Sequence, residues 1–162
     1  MGLRLNVGCG PSRFEGEIGV DKYPTDAREV EGDILALPYP DGAAEFIRAE
    51  HVLEHLPYRQ VPTALFELRR VLEPGGRIRL GVPDLKRTCE AYVKATTLAE
   101  RGLLTRQLYG SQIHEGEFHK SGWDPDTLGD VLKAIGFTDI VSSVENGKDL
   151  WDASIIVEAV RA

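Results

Sequence analysis

Apolar positions in this chain follow two rhythms that alternate along its length. Short strand-like runs occur at residues 4–7, 17–20, 29–32, 45–49 and 77–82, and two more at 138–144 and 153–160. Helical spacing appears in the second half. Val61, Leu65, Leu68 and Leu72, separated by four, three and four positions, share one face of a helix over residues 58–72, which Glu73-Pro74-Gly75-Gly76 then stops. Asp84 is placed to cap a second helix from Leu85 to about Glu100, with Ala91 and Leu98 among its apolar positions. Asp124-Pro125 pairs a capping carboxylate with proline at the first helical position and leads into Leu128, Val131, Leu132 and Ile135, until Gly136-Phe137 ends the helix. Strands alternating with helices predict an α/β domain built on a mostly parallel sheet.

The first run has a distinctive end. In Arg4-Leu5-Asn6-Val7-Gly8-Cys9-Gly10 a short buried strand closes on two glycines one residue apart, the pattern of a sharp turn. Such a turn serves tight chain reversal alone, or lets backbone approach a ligand outside the carboxyl edge of an open sheet. Asp21 ends the second strand, where a carboxylate can accept hydrogen bonds from both hydroxyls of a ribose held against strand one. Only ten residues lie between Gly10 and Asp21, against about twenty in the dinucleotide fingerprint, and Arg13 stands where its third glycine would be. A nicotinamide cofactor is therefore disfavoured, and the first crossover helix is expected to be cut to a turn or lost. Asp33-Ile34 follows the third strand. There an acidic side chain beside an apolar one suits an adenine amino group and ring, or Asp33 simply caps a turn.

Composition bounds the rest. With 162 residues, 42% apolar and 28% charged, the chain makes one domain, residues 1–162, with a real core. It has no apolar run long enough to span a membrane and no secretory leader pattern, so a cytoplasmic protein is expected. A net charge of −7 works against a duplex nucleic-acid partner. Cys9 and Cys89 form no disulfide framework or CxxC zinc site, and the sequence specifies no oligomeric state. Residues 104–123 hold Tyr109, His114, Phe118, His119 and Trp123 among glycines and charges, the composition either of a loop that closes over a site or of a surface connection with a few aromatics tucked back into the core.

Five segments together carry a resemblance: Leu5-Asn6-Val7-Gly8-Cys9-Gly10, Val20-Asp21, Gly32-Asp33-Ile34 before Leu37-Pro38, residues 49–56 (Ala-Glu-His-Val-Leu-Glu-His-Leu), and Val71-Leu72-Glu73-Pro74-Gly75-Gly76-Arg77. In this order and spacing the chain resembles a compact member of the class I S-adenosylmethionine-dependent methyltransferases, and the match runs from about Leu3 to Pro83. The resemblance implies a Rossmann-like, doubly wound, mostly parallel sheet of seven strands in the order 3-2-1-4-5-7-6. Its last two strands, divided by Glu145-Asn146-Gly147-Lys148, would form the edge, with strand seven antiparallel. It implies S-adenosylmethionine as cofactor, with Val7, Gly8, Cys9 and Gly10 near the methionyl part, Asp21 on the ribose, Asp33 and Ile34 at the adenine, and Glu50 and His51 beside the sulfonium. Arg13 is a candidate partner for the methionine carboxylate. Ser12, where many members have a third glycine, departs from the family pattern.

The expected acceptor is a small molecule or saccharide-like compound methylated at oxygen or nitrogen. Alignment of nucleophile, methyl and sulfur supplies much of the acceleration in such transfers, and a base is needed only where the acceptor must first lose a proton. Of the four histidines, His119 is the candidate base, because its loop precedes Trp123 on the expected acceptor side. Asn-Pro-Pro-Tyr and Asp-Pro-Pro-Tyr are absent after the fourth strand, leaving nucleic-acid base methylation without a motif. Two alternatives compete. His51-Val52-Leu53-Glu54-His55 matches the H-x-x-E-H of zinc hydrolases, but it starts at a strand end, where the two imidazoles need not share a helical face, so no metal ligand is assigned. The other is a module that keeps the cofactor pocket without transfer chemistry.

Overall fold

The central strand β1 (Leu3–Val7) buries Leu5 and Val7 completely or nearly so, and the sheet grows outward on both sides of it. A computed structural model describes residues 2–146 and 153–162. The strands β2 (Ile18–Asp21), β3 (Val30–Glu31), β4 (Ala44–Glu50), β5 (Leu72–Pro83), β6 (Phe137–Asn146) and β7 (Ala153–Arg161) join β1 in one sheet ordered β3-β2-β1-β4-β5-β7-β6. The pairs from β3 to β5 are parallel, and β7 runs antiparallel to β5 and β6. This is the expected order, and the expected antiparallel edge. The expected divider between the last strands falls partly on Gly147 and Lys148, outside the described residues.

Helix α1 (Val61–Val71) follows the predicted apolar stripe, burying Val61, Leu65, Leu68 and Val71, with Pro62 in its first turn. The break after it comes one step earlier than the glycines suggest. Leu72 is already extended and pairs with Ala44, and residues 73–76 bulge before Arg77 pairs with Phe46. Helix α4 (Pro125–Ile135) starts as predicted: Asp124 Oδ1 accepts from the amides of Asp126 (3.0 Å) and Thr127 (2.9 Å), and Gly136 closes the helix at φ 98°. These two helices and one sheet face enclose the core, where Leu5, Ile47, Ile78, Leu80 and Val157 meet Leu65, Leu68, Leu128 and Leu132.

The single helix expected from Leu85 to about Glu100 is in fact two. Helix α2 (Leu85–Lys94), capped by Asp84, stops at Ala95, and α3 (Leu98–Tyr109) starts afresh. The break is made by a capping box: Thr97 Oγ1 accepts from the Glu100 amide at 3.2 Å, while Glu100 Oε2 accepts from the amides of Thr97 and Thr96. The irregular segment therefore begins at Gly110, not at residue 104.

The first crossover contains no helix. Residues 8–17 are turns and loop, secured where Val20 carbonyl accepts from the Gly8 amide at 2.7 Å and Ser12 amide donates to Cys9 carbonyl at 2.9 Å. Residues 22–29 and 32–43 also connect their strands without a helix. The sheet face turned away from α1 and α4 is accordingly polar. One row across it reads Gly19, Asn6, Arg48, Arg79, Glu158 and Val141. Mostly parallel sheets are normally covered on both faces. Here ion pairs take the place of a helix layer: Arg48 donates to Glu17 (2.9 and 3.1 Å) and Glu50 (2.7 Å), and Arg79 to Glu50 (2.7 Å), Glu145 (2.5 Å) and Glu158 (3.3 Å). Arg4 and Arg48 lie over the Phe46 and Phe14 rings at 4.1 and 4.0 Å. No helix among the described residues is long and apolar enough to cross a membrane.

Candidate functional site

The carboxyl ends of β1, β2 and β4 converge on the glycine turn. Gly8 (φ 66°) and Gly10 (φ 45°) both occupy left-handed backbone that other residues rarely adopt. A Cβ on Gly8 would stand 2.3 Å from Val52 Cγ2, so the segment after β4 presses directly on this turn. A Cβ on Gly10, by contrast, would meet nothing within 4 Å, so this side of its backbone is not packed against the protein. Asp21 Oδ2 accepts from the Gly10 amide (2.9 Å) and Oδ1 from the Tyr23 amide (2.9 Å), which fixes the carboxylate against the turn and leaves lone pairs on both oxygens. Cys9 is buried. Burial raises its thiol pKa and the Asp21 charge adds to this, so the sulfur sits as a neutral packing group beneath the turn.

The remaining expected residues fall in varied surroundings. Asp33 caps its own turn through the Leu35 amide (2.9 Å) and pairs with Lys22 (2.9 Å). Burial opposes its ionisation, but these bonds prevail and hold its carboxyl below the usual range. The Ile34 side chain packs into the core. Arg13 donates to Gly10 carbonyl at 2.6 Å and pairs with Glu29, so its guanidinium braces the loop. Glu50 lies among the arginines of the polar sheet face. Burial works against its charge, and hydrogen bonds from Arg79 and Arg48 outweigh it to keep the carboxyl ionised below its ordinary range.

His51 has φ 56°, unusual for a non-glycine residue and a form of strain that concentrates at functional sites. Its amide donates to Gly81 carbonyl at 2.8 Å, and its Nδ1 stands 3.1 Å from Glu54 Oε1. The turn Leu53–His55 that follows is a single 3-10 turn, too short to align His51 and His55 on one face. His119 joins this group from far along the chain. Glu54 carbonyl accepts from the amides of Lys120 (2.7 Å) and Ser121 (3.1 Å), and Ser121 Oγ donates to Leu53 carbonyl at 3.0 Å, which locks the 119–121 segment onto the turn. The His55 and His119 rings meet edge to face at 5.1 Å. Burial pushes the His119 imidazole below its usual range, against the pull of Glu54. Trp123, fully buried, donates from Nε1 to Ser121 Oγ at 3.1 Å and stacks on Tyr58. Glu54 lies outside the cofactor motifs; the H-x-x-E-H pattern marks it in the sequence, while no local spacing announces its partner His119.

A family model described as "Methyltransferase domain" matches residues 5–80, the span that contains the glycine turn, Asp21, Asp33 and the Leu53–His55 turn. Just under half of the chain is thus similar to methyltransferase domains. Solved structures share the fold over its full length: a S-adenosylmethionine-dependent methyltransferase from Thermotoga maritima (TM-score 0.69, 18% identity, 100% of this chain and 83% of that one) is one. Another is the 1,6-didemethyltoxoflavin-N1-methyltransferase of Burkholderia thailandensis with its substrate and S-adenosylhomocysteine bound (TM-score 0.71, 15% identity, 99% of this chain and 71% of that one). At the level of sequence, a 37.1 kDa protein of transposon TN4556 from Streptomyces fradiae is 32% identical over 139 residues, covering 64% of this chain. The chain spans 40% of that relative's length.

Proposed function

We propose that this chain is a S-adenosylmethionine-dependent methyltransferase acting on a small-molecule or saccharide-like acceptor, at oxygen or nitrogen, in a cytoplasmic setting. The observation that carries the reading is the bond from the Gly10 amide to Asp21 Oδ2, which fixes a carboxylate against a left-handed glycine turn. When bound, the cofactor supplies a methyl group activated by a cationic sulfur. Gly8 to Gly10 offer backbone to its methionyl part, the free lone pairs of Asp21 take the ribose hydroxyls, and the turn at Asp33 and Ile34 borders the adenine through its backbone. Arg13 remains within reach of the carboxylate end, held beside it by Gly10 carbonyl. His119, which burial favours in its neutral form, is the base of this reading where no cation is bound. Glu50 shapes the sulfonium side indirectly, by fixing the end of β4 through its arginine partners.

The test is calorimetry with S-adenosylhomocysteine, followed by transfer of labelled methyl from S-adenosylmethionine to panels of hydroxyl and amine acceptors. Saturable binding with label in product supports the reading. Binding without any transfer would favour the cofactor-binding module, and no binding at all would end both.

A further inference from the structure

We propose that Glu54, His55 and His119 form a site for one divalent cation of the zinc class, next to the glycine turn, with a position left open for an acceptor hydroxyl. The donor atoms of these three side chains lie within 4.8 Å of one another. Around a tetrahedral ion with bonds of about 2.1 Å, ligand atoms stand about 3.4 Å apart, so small side-chain rotations close the cluster.

Four observations point to a ligand and not to a chance grouping. Glu54 is 2% exposed and its Oε2 has no hydrogen-bond partner, an expensive arrangement for a carboxylate oxygen with nothing to receive. Its other oxygen, Oε1, is engaged by His51 Nδ1 at 3.1 Å. His55 Nδ1 and His119 Nδ1 are each held by a backbone carbonyl, of Phe118 (3.2 Å) and Gln107 (2.8 Å). Donation from Nδ1 leaves the Nε2 lone pair as the free coordinating atom in both rings, which is how outer-shell carbonyls orient metal-binding histidines. Glu54 and His119 also line a cavity of about 20 Å³, room for a single water or ion.

Two imidazoles and one carboxylate suit zinc or a similar transition ion better than magnesium or calcium, which prefer oxygen donors. Three protein ligands mark an open site. The role of that open position rests on the methyltransferase reading: an acceptor hydroxyl bound there acidifies and is held for attack. With the His119 lone pair on the cation, that ring no longer serves as base: the hydroxyl proton leaves to solvent, the oxygen lone pair forms the new bond to the methyl carbon, and the carbon–sulfur bond breaks with its electrons returning to sulfur, giving a methyl ether and S-adenosylhomocysteine. The closeness of Val52 to Gly8 sets the cation cluster beside the cofactor turn.

The experiment titrates zinc into the EDTA-stripped full chain by competition with a chromophoric chelator, and measures S-adenosylhomocysteine affinity on the same samples. One equivalent of zinc is expected in the wild type. Glu54→Gln and His119→Asn each lose more than the about 10–100-fold typical of an outer-shell change, and His51→Ala falls within that range. S-adenosylhomocysteine affinity stays unchanged in Glu54→Gln and His119→Asn, while His51→Ala, a change beside the expected sulfonium position, is read for zinc alone. Should Glu54→Gln fail to fold, as judged by circular dichroism, His119→Asn decides. Zinc binding in the wild type no tighter than in His119→Asn overturns the cation site. A chain that binds S-adenosylhomocysteine but not zinc loses this site and keeps the methyltransferase reading; one that binds zinc but not S-adenosylhomocysteine does the reverse.

Discussion

The Gly10 amide donates to Asp21 Oδ2 across 2.9 Å, joining the end of β1 to the end of β2 with only a helix-free loop between them. The bond fixes a carboxylate that keeps lone pairs on both oxygens. If those lone pairs take the ribose, an analogue of S-adenosylhomocysteine lacking the 2′-hydroxyl binds the wild type about tenfold more weakly, the equivalent of about 1.4 kcal/mol for one hydrogen bond to a charged group. Asp21→Ala removes the discrimination. Equal selectivity in the two proteins, read by calorimetry, places the ribose elsewhere.

Gly8 is held in left-handed backbone with Val52 against it. Gly8→Ala combines backbone strain with overpacking, each worth about 1–3 kcal/mol, and is expected to lower stability by about 2–4 kcal/mol in urea unfolding. Adding Val52→Ala relieves the clash but not the strain, so the double variant recovers part of the loss. Full recovery would show that strain at this φ contributes nothing.

The polar sheet face distinguishes buried from exposed charge. Arg48 is 15% exposed and pairs with Glu17, which is 3% exposed, whereas Arg77 is 65% exposed and meets Glu158 only at 3.6 Å. Arg48→Met leaves the buried Glu17 carboxylate with only the more distant Arg4 at 3.6 Å and costs about 2–3 kcal/mol, while Arg77→Met costs under about 0.5 kcal/mol. Similar unfolding midpoints for both would mean that solvent reaches Glu17 freely.

The same face makes stability depend on acid. Glu50 has a folded pKa below its ordinary value, so as pH falls the unfolded chain binds the proton first. The contribution is complete above the ordinary glutamate range of about 4.3 and is lost as pH falls through the lower folded value. The urea midpoint of the wild type therefore drops more between pH 5 and pH 3, on the order of these limits, than that of Glu50→Gln. Parallel declines would assign the acid sensitivity to other carboxylates.

The sheet was readable because each parallel strand ends on a marker of its own, the glycines of β1, Asp21 of β2 and Asp33 after β3. The missing first helix was equally plain, since ten residues cannot hold a crossover helix and its turns. The polar face is written in the alternation Arg77-Ile78-Arg79-Leu80, a pattern for strands with one wet side. Helix α3 lacks such a sign. It buries Leu104 alone, so no apolar stripe marks it, and a capping box, not periodicity, sets its start. The meeting of His119 with Glu54 is also invisible in the sequence, because the amides of Lys120 and Ser121 secure it and amides carry no residue signature.

The central claim, that the glycine turn and Asp21 bind the methyl donor, is tested most directly by titrating S-adenosylhomocysteine into the wild type and Asp21→Ala in a calorimeter. One equivalent is predicted for the wild type, with affinity at least about tenfold weaker in a folded Asp21→Ala. No saturable heat from the wild type, or equal affinity in the two proteins, would contradict it.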